Sequence, residues 1–182
     1  VASKQYCIYS IASAEDCRDI PMTKVSNLYR RVETECPAFQ ARITARALTR
    51  YYNAYFRPFG ITAEQFSLLV GIGGGREPTL AELAARAGVD ATTLSRSVKS
   101  LERRNLVRNL GGRGRAGKRL VLTDLGRRLV NESMTAWERA RIRLAEALGE
   151  EASRVAGSVM SRLAIAAEAA ASTALRTDTS RN

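Results

Sequence analysis

The chain has 182 residues, 45% apolar, 26% charged and 6% aromatic, a size that suits one compact domain or two small ones. Its 29 Lys and Arg against 18 Asp and Glu leave a formal charge of +11, which favours an anionic partner such as nucleic acid or an acidic membrane surface. No histidine is present, which removes the usual general base near neutral pH and the commonest zinc ligand; Ser-His-Asp hydrolysis and most metal chemistry are excluded, and a non-catalytic binding protein without metal or cofactor is expected.

Cys7, Cys17 and Cys36 are odd in number and have no C-x-x-C spacing, so neither a disulfide framework nor a zinc knuckle is supported and a reducing cytoplasm is the expected setting. At the start, Lys4, a weakly apolar run through Ile11 and Ala12-Ser13-Ala14 bear a faint likeness to a signal peptide, diluted by Gln5, Tyr6, Tyr9 and Ser10. With Met22 just ahead of the first helical pattern, residues 1–35 read as a flexible leader, of which 1–21 lie upstream of the true start.

From Cys36 the pattern is helical. Pro37 suits a first turn, and Phe39, Ile43, Ala47, Leu48, Tyr51, Tyr52 and Tyr55 recur at spacings of three and four until Pro58 and Gly60, which predicts a helix over 36–57. Thr62 caps a second helix carrying Phe66, Leu69 and Val70, closed by the cluster Gly73-Gly74-Gly75 and Pro78. Three glycines resemble a phosphate cradle, but no Lys-Ser or Lys-Thr follows and G-x-G-x-x-G is missing, so a turn between helices is the reading. The uncharged stretch Gln65 to Gly75, the longest in the chain, covers 11 residues. Spanning a bilayer takes about 18 or more, so no membrane helix is predicted.

The block TLAELAARAGVDATTLSRSVKSLERRNLVRNL carries the most information. Thr79 caps a short helix with Leu80, Leu83 and Ala84 on one side, Gly88 supplies a left-handed turn, and Asp90 caps a helix with Leu94, Val98 and Leu101 inside. Two short helices about a glycine turn predict a helix-turn-helix. On the second helix Thr92, Arg96, Lys99, Ser100 and Arg103 project away from the apolar trio. That basic, hydroxyl-rich face suits a major groove, though a solvated helix face carries the same residue types. Leu106–Leu110 and Arg119–Leu122 then read as two strands of a hairpin, joined by GGRGRAGK, whose Arg113, Arg115 and Lys118 suit a narrow minor groove. From Thr79 to Asp124 ten basic residues face four acidic ones, 10 − 4 = +6, more than half of the chain's charge in about a quarter of its length.

Thr123 caps a long amphipathic helix over 123–148 ending at Gly149; an alanine-rich helix follows over 150–172, and 173–182 read as a flexible polar tail. The fold class is therefore mainly α with a small β-hairpin wing.

The residues ELAARAGVDATTLSRSVKSLERRNLV, the wing and LVLTDLG together resemble the MarR (multiple antibiotic resistance regulator) family of bacterial transcription factors, over roughly Cys36 to Ala171. The resemblance implies a homodimer with dimerisation helices at 36–57 and 150–172 and a winged helix-turn-helix at 62–122. The connecting helix over 123–148 would brace that module on a pseudo-palindromic operator in double-stranded DNA, with half-sites about one helical turn apart. Carried over by position, Thr92, Thr93, Ser95 and Arg96 fall where the recognition helix meets bases and phosphates, and Arg115 falls at the wing tip; the helical face adds Lys99 and Arg103 as phosphate contacts. Gly111 and Gly114 stand where the family carries acids that brace the wing-tip Arg, which raises the entropic cost of docking the wing.

The resemblance also implies repression relieved by a small aromatic or phenolic ligand. Arg46, Arg50, Tyr51, Tyr52, Tyr55 and Phe66 would line its cleft, and an aromatic stripe at this spacing is also what core packing produces. A redox alternative rests on Cys36, at a helix start whose dipole favours a thiolate. Aligned on Thr49 and Tyr52, however, Cys36 stands two positions before the family's sensing cysteine, where this chain has Ala38, and Arg42 replaces a partner tyrosine. A second alternative is a nucleoid-like protein that clamps nucleic acid without sequence preference. Carboxylate pairs such as Glu150-Glu151 are adjacent in sequence and read as helix-start charges, so no enzyme is predicted.

Overall fold

The computed structural model describes residues 24–75, 77–111 and 119–179, in a chain that divides into two compact units, 1–47 and 48–182. In the first unit, α1 (Lys24–Glu35) is followed by the start of α2 (Pro37–Phe56). Pro37 separates them because it lacks an N–H and pushes the preceding residue out of the helical region. The Glu33 carbonyl thereby loses its helical donor and accepts from the Gln40 side-chain amide instead. Helix α1 lies within the stretch expected as leader. Val25, Leu28, Tyr29 and Val32 stand at helical spacing, a stripe that the leader reading passes over; Tyr29 and Val32 are exposed, and the exposed Arg31–Glu35 pair, one turn apart at 3.1 Å, adds support.

The second unit begins within α2, whose last residue, Phe56, is buried. A 3-10 turn, Arg57–Phe59, ends at Gly60 with φ +65°, and Thr62 and Gln65 then form a reciprocal capping box that starts α3 (Ala63–Gly73). Helices α4 (Leu80–Ala87) and α5 (Ala91–Arg103) precede β1 (Val107–Asn109) and β2 (Leu120–Leu122), which pair antiparallel with Val107 opposite Leu122 and Asn109 opposite Leu120. A single isolated bridge pairs Thr79 with Arg119 beside the two-stranded sheet, and the Leu120 N–H donates to the Pro78 carbonyl at 3.0 Å. One bridging pair has no alternation of its own, so the sequence carried no sign of it.

The core joins α3, α4, α5 and the hairpin, with Leu69, Leu101, Val107 and Leu120 buried alongside Phe56. Helix α6 (Asp124–Leu148) is fastened to the hairpin root. The Thr123 hydroxyl donates to the Asn105 carbonyl at 2.6 Å and accepts from the Gly126 N–H at 3.0 Å, while the Thr123 N–H donates to Leu106. After Gly149, α7 (Glu150–Thr179) runs beyond the expected end at 172. No Gly or Pro follows Gly157, and the alanine-rich sequence offers nothing to stop the helix. Most of α7 is exposed, including Val159 at 55% and Ile165 at 67%.

Candidate nucleic-acid interface

Helix α5 is held at three points. At its start the Asp90 carboxylate accepts from the Thr93 N–H at 2.8 Å and from the Thr93 hydroxyl at 2.5 Å. Those bonds, the hydroxyl first, hold the Asp90 carboxyl below its ordinary value. Before it, α4 is fixed by the reciprocal box of Thr79 and Glu82, and Gly88, at φ +63°, turns the chain while its N–H caps the α4 carbonyls. Beneath it, Leu94, Val98 and Leu101 are buried.

With that face inward, Thr92, Arg96, Lys99 and Arg103 are exposed, and Ser95 and Ser100 are half-buried at the flanks. Arg96, Lys99 and Arg103 rim, with Glu102, a shallow hollow of about 370 Å³. These cations form a surface that can meet phosphates and base edges. Thr93 is exposed as well, but its hydroxyl proton is committed to Asp90, which makes it first a capping residue.

At the wing, Gly111 takes φ +79° and donates its N–H to the Asn109 side chain at 3.0 Å. Gly114 and the wing candidates Arg113, Arg115 and Lys118 lie outside the described residues. Two further cations flank the module. Arg108 is exposed on the outer face of β1, and the signal for it was the alternation about buried Val107. Arg119 donates to the Glu77 carbonyl at 3.2 Å and so ties the base of the hairpin to the segment before α4, a contact across the fold with no local signal.

The candidate ligand residues disperse. A pocket of about 390 Å³ opens beside α5, walled by Leu48, Thr49 and Tyr52 of α2, Ala63, Glu64, Ser67 and Leu68 of α3, Ala87 and Val89 at the turn, and Thr93, Leu94 and Ser97 of α5. Of the aromatic and arginine candidates, Tyr52 alone is in that wall. Phe66 is buried, stacked on Phe56 at 4.3 Å. Tyr51 donates to the Ala140 carbonyl of α6 at 3.0 Å and lies 3.4 Å from the Tyr55 hydroxyl. Loss of hydration, then the bond with Tyr55, pushes the Tyr51 phenol up to about 12. Arg50 is exposed; Arg46, in the first unit, is exposed, and Cys36 there is a half-buried free thiol. The pocket walls that the sequence did not indicate, Glu64, Ser67 and Ser97, come from two helices whose relative placement no local pattern encodes.

Among the described residues no cluster of three or more His, Cys, Asp or Glu is placed to hold a metal, and no helix is long and apolar enough to cross a membrane.

The MarR family profile matches residues 59–119, from the turn before α3 to the start of the returning strand. The M. tuberculosis transcriptional regulator MosR is similar at 34% identity, covering 75% of this chain and 98% of MosR, with a TM-score of 0.65. MosR in complex with DNA aligns at 35% identity with the same coverage and TM-score. The transcriptional repressor CouR bound to a 23-mer DNA duplex shares the fold at 20% identity, covering 80% of this chain and 99% of CouR, with a TM-score of 0.64. A comparison with curated proteins finds no match. The winged helix-turn-helix geometry, the family match across it and the likeness to nearly the whole of MosR agree: the chain belongs to the MarR family of transcriptional regulators.

Proposed function

We propose that the protein is a dimeric, sequence-specific DNA-binding regulator that represses transcription and leaves its operator when a small aromatic ligand binds. The observation that carries this reading is the exposed Arg96–Lys99–Arg103 face of α5, fixed by the Asp90 cap and a buried apolar face behind it. The similarity to MosR in its DNA complex supports DNA as the partner. In this reading Thr92, Ser95 and Arg96 meet base edges, Thr93 orders the helix start, and Lys99 and Arg103 meet phosphates. Arg113, Arg115 and Lys118 enter the minor groove.

The segments 36–57 and 150–172 serve as dimerisation helices, 62–122 as the reading module and 123–148 as the brace. The exposed apolar residues of α7 supply a surface for a second copy, and two-fold symmetry then sets the half-sites about one helical turn apart. The pocket beside α5 is the effector site. Its occupant must bind the DNA-free arrangement more tightly than the DNA-bound one, since a ligand shifts an equilibrium only by its differential affinity.

The test is a titration of the full chain against the intergenic DNA upstream of its own gene and a scrambled duplex of equal length, at two salt concentrations. The expected result is a preference of about 10³-fold or more that persists at the higher salt, with one dimer per site. Equal affinities that collapse together with salt would leave a non-specific clamp and overturn the operator reading.

A further inference from the structure

We propose that the pocket beside α5 selects an amine-bearing aromatic molecule, with Glu64 receiving its ammonium group; this rests on the reading of that pocket as the effector site. Two observations point to this ligand chemistry. Tyr52, Leu68, Val89 and Leu94 give the pocket, about 390 Å³, an apolar wall wide enough for one or two rings. Among the described residues that line it, Glu64 is the only charged one. A carboxylate ligand would meet that charge with no cation in the wall itself; Arg141 of α6, which acts on Tyr52, is paired with Glu138 at 2.5 Å.

At the start of α3, two backbone donors that could hold an anion are already engaged. The Ala63 N–H donates to the Asn53 side chain at 2.7 Å and the Gln65 N–H to the Thr62 hydroxyl at 3.1 Å. An ammonium, by contrast, finds the Glu64 carboxylate and the hydroxyl oxygens of Ser67 and Ser97 in the same wall.

The position also explains how such a molecule would act on the reading helix. Successive residues of α5 advance by about 100°. Thr93 and Ser97 therefore sit on the flank between the buried face of Leu94, Val98 and Leu101 and the exposed face of Arg96 and Lys99. A molecule seated against that flank bears on α5 without touching the residues that would read DNA.

The experiment uses two probes with one ring system and opposite charge, tryptamine and indole-3-acetate, titrated calorimetrically into the full chain. The wild type should bind tryptamine more tightly by about three- to fivefold or more, the range for a charge pair at a pocket rim. Glu64→Gln should remove that preference, and Glu64→Lys should reverse it. Glu64 is exposed and outside the Thr62–Gln65 box, so both variants should keep the wild-type circular dichroism. Ser67→Phe, which fills the pocket from an exposed position, should abolish binding of both probes.

Indole-3-acetate binding as tightly as tryptamine, or a preference for tryptamine unchanged in both Glu64 variants, would overturn the amine assignment. Abolition of both by Ser67→Phe would in that case leave the effector pocket standing. Binding of neither probe, or of both in Ser67→Phe as in the wild type, would overturn the pocket itself together with the proposal.

Discussion

Gly126 lies in the first turn of α6, where the backbone passes so close to the hairpin root that a Cβ would overlap the Leu106 carbonyl oxygen. Neither partner is the end of a flexible side chain, so neither yields cheaply. Gly126→Ala should cost about 1–3 kcal/mol in a urea melt, as overpacking does. Gly157, in α7, has nothing within 4 Å of its Cβ position, and alanine there should leave stability unchanged or raise it by up to about 1 kcal/mol. The two glycines are alike in sequence, both inside helical patterns, and only the path of the backbone at Leu106, just before β1, separates them.

Tyr51 offers a second residue-level test. Its phenol is raised from an ordinary 10.0 to about 12 in the folded chain, by loss of hydration first and the Tyr55 bond second. A group whose folded value is raised contributes stability that is fully present below pH 10 and lost as pH rises towards 12. The phenolate has no proton to give to the Ala140 carbonyl. Stability should therefore fall over that window, and Tyr51→Phe should flatten the fall; an equal alkaline loss in the variant would place the sensitivity elsewhere.

Among the elements, α5 depends on its cap. Folding lowers the Asp90 carboxyl from its ordinary 3.8, so its contribution is present above that value and lost as pH falls through the lower one. Asp90→Ala should lower the Tm at neutral pH and weaken operator binding by loosening the helix start. Asp90→Asn, which keeps an acceptor for the Thr93 N–H, should lose less of both. Equal losses in the two variants would show that charge, not the cap bond, governs this end of the helix.

The elements were legible wherever their ends carry local chemistry: Thr62, Thr79, Asp90 and Thr123 all cap the helices predicted from them. The exceptions lack such marks. Helix α1 carries one short stripe, Val25, Leu28, Tyr29 and Val32, in a stretch that reads as leader, α7 has no stop signal before Thr179, and the bridge of Thr79 with Arg119 is a single pair. Site residues divide in the same way. Arg96, Lys99 and Arg103 follow from periodicity, because one buried stripe decides what the rest of the helix exposes. Tyr51 and Tyr52 are adjacent in one helical pattern and Phe66 lies in the next, yet the three reach α6, the pocket and the core, since neighbours on other elements decide each destination.

For the whole molecule the balance of charge and shape is the testable quantity. Arg103→Ala should weaken binding to operator and random DNA alike and reduce the slope of log affinity against log salt by about one. Arg96→Ala should instead erode discrimination, by about 1–3 kcal/mol for a guanine contact. Equal losses for Arg96→Ala on both DNAs would make it a phosphate contact.

The sequence by itself determined the helix-turn-helix, the basic face of α5 and the concentration of charge around it, because caps, turns and periodicity act over a few residues. The tertiary structure alone decided the bridge of Thr79 with Arg119, the need for glycine at 126 and the pocket with Glu64 in its wall. Each of these joins residues from separate elements, and how closely two elements pack depends on the whole core between them.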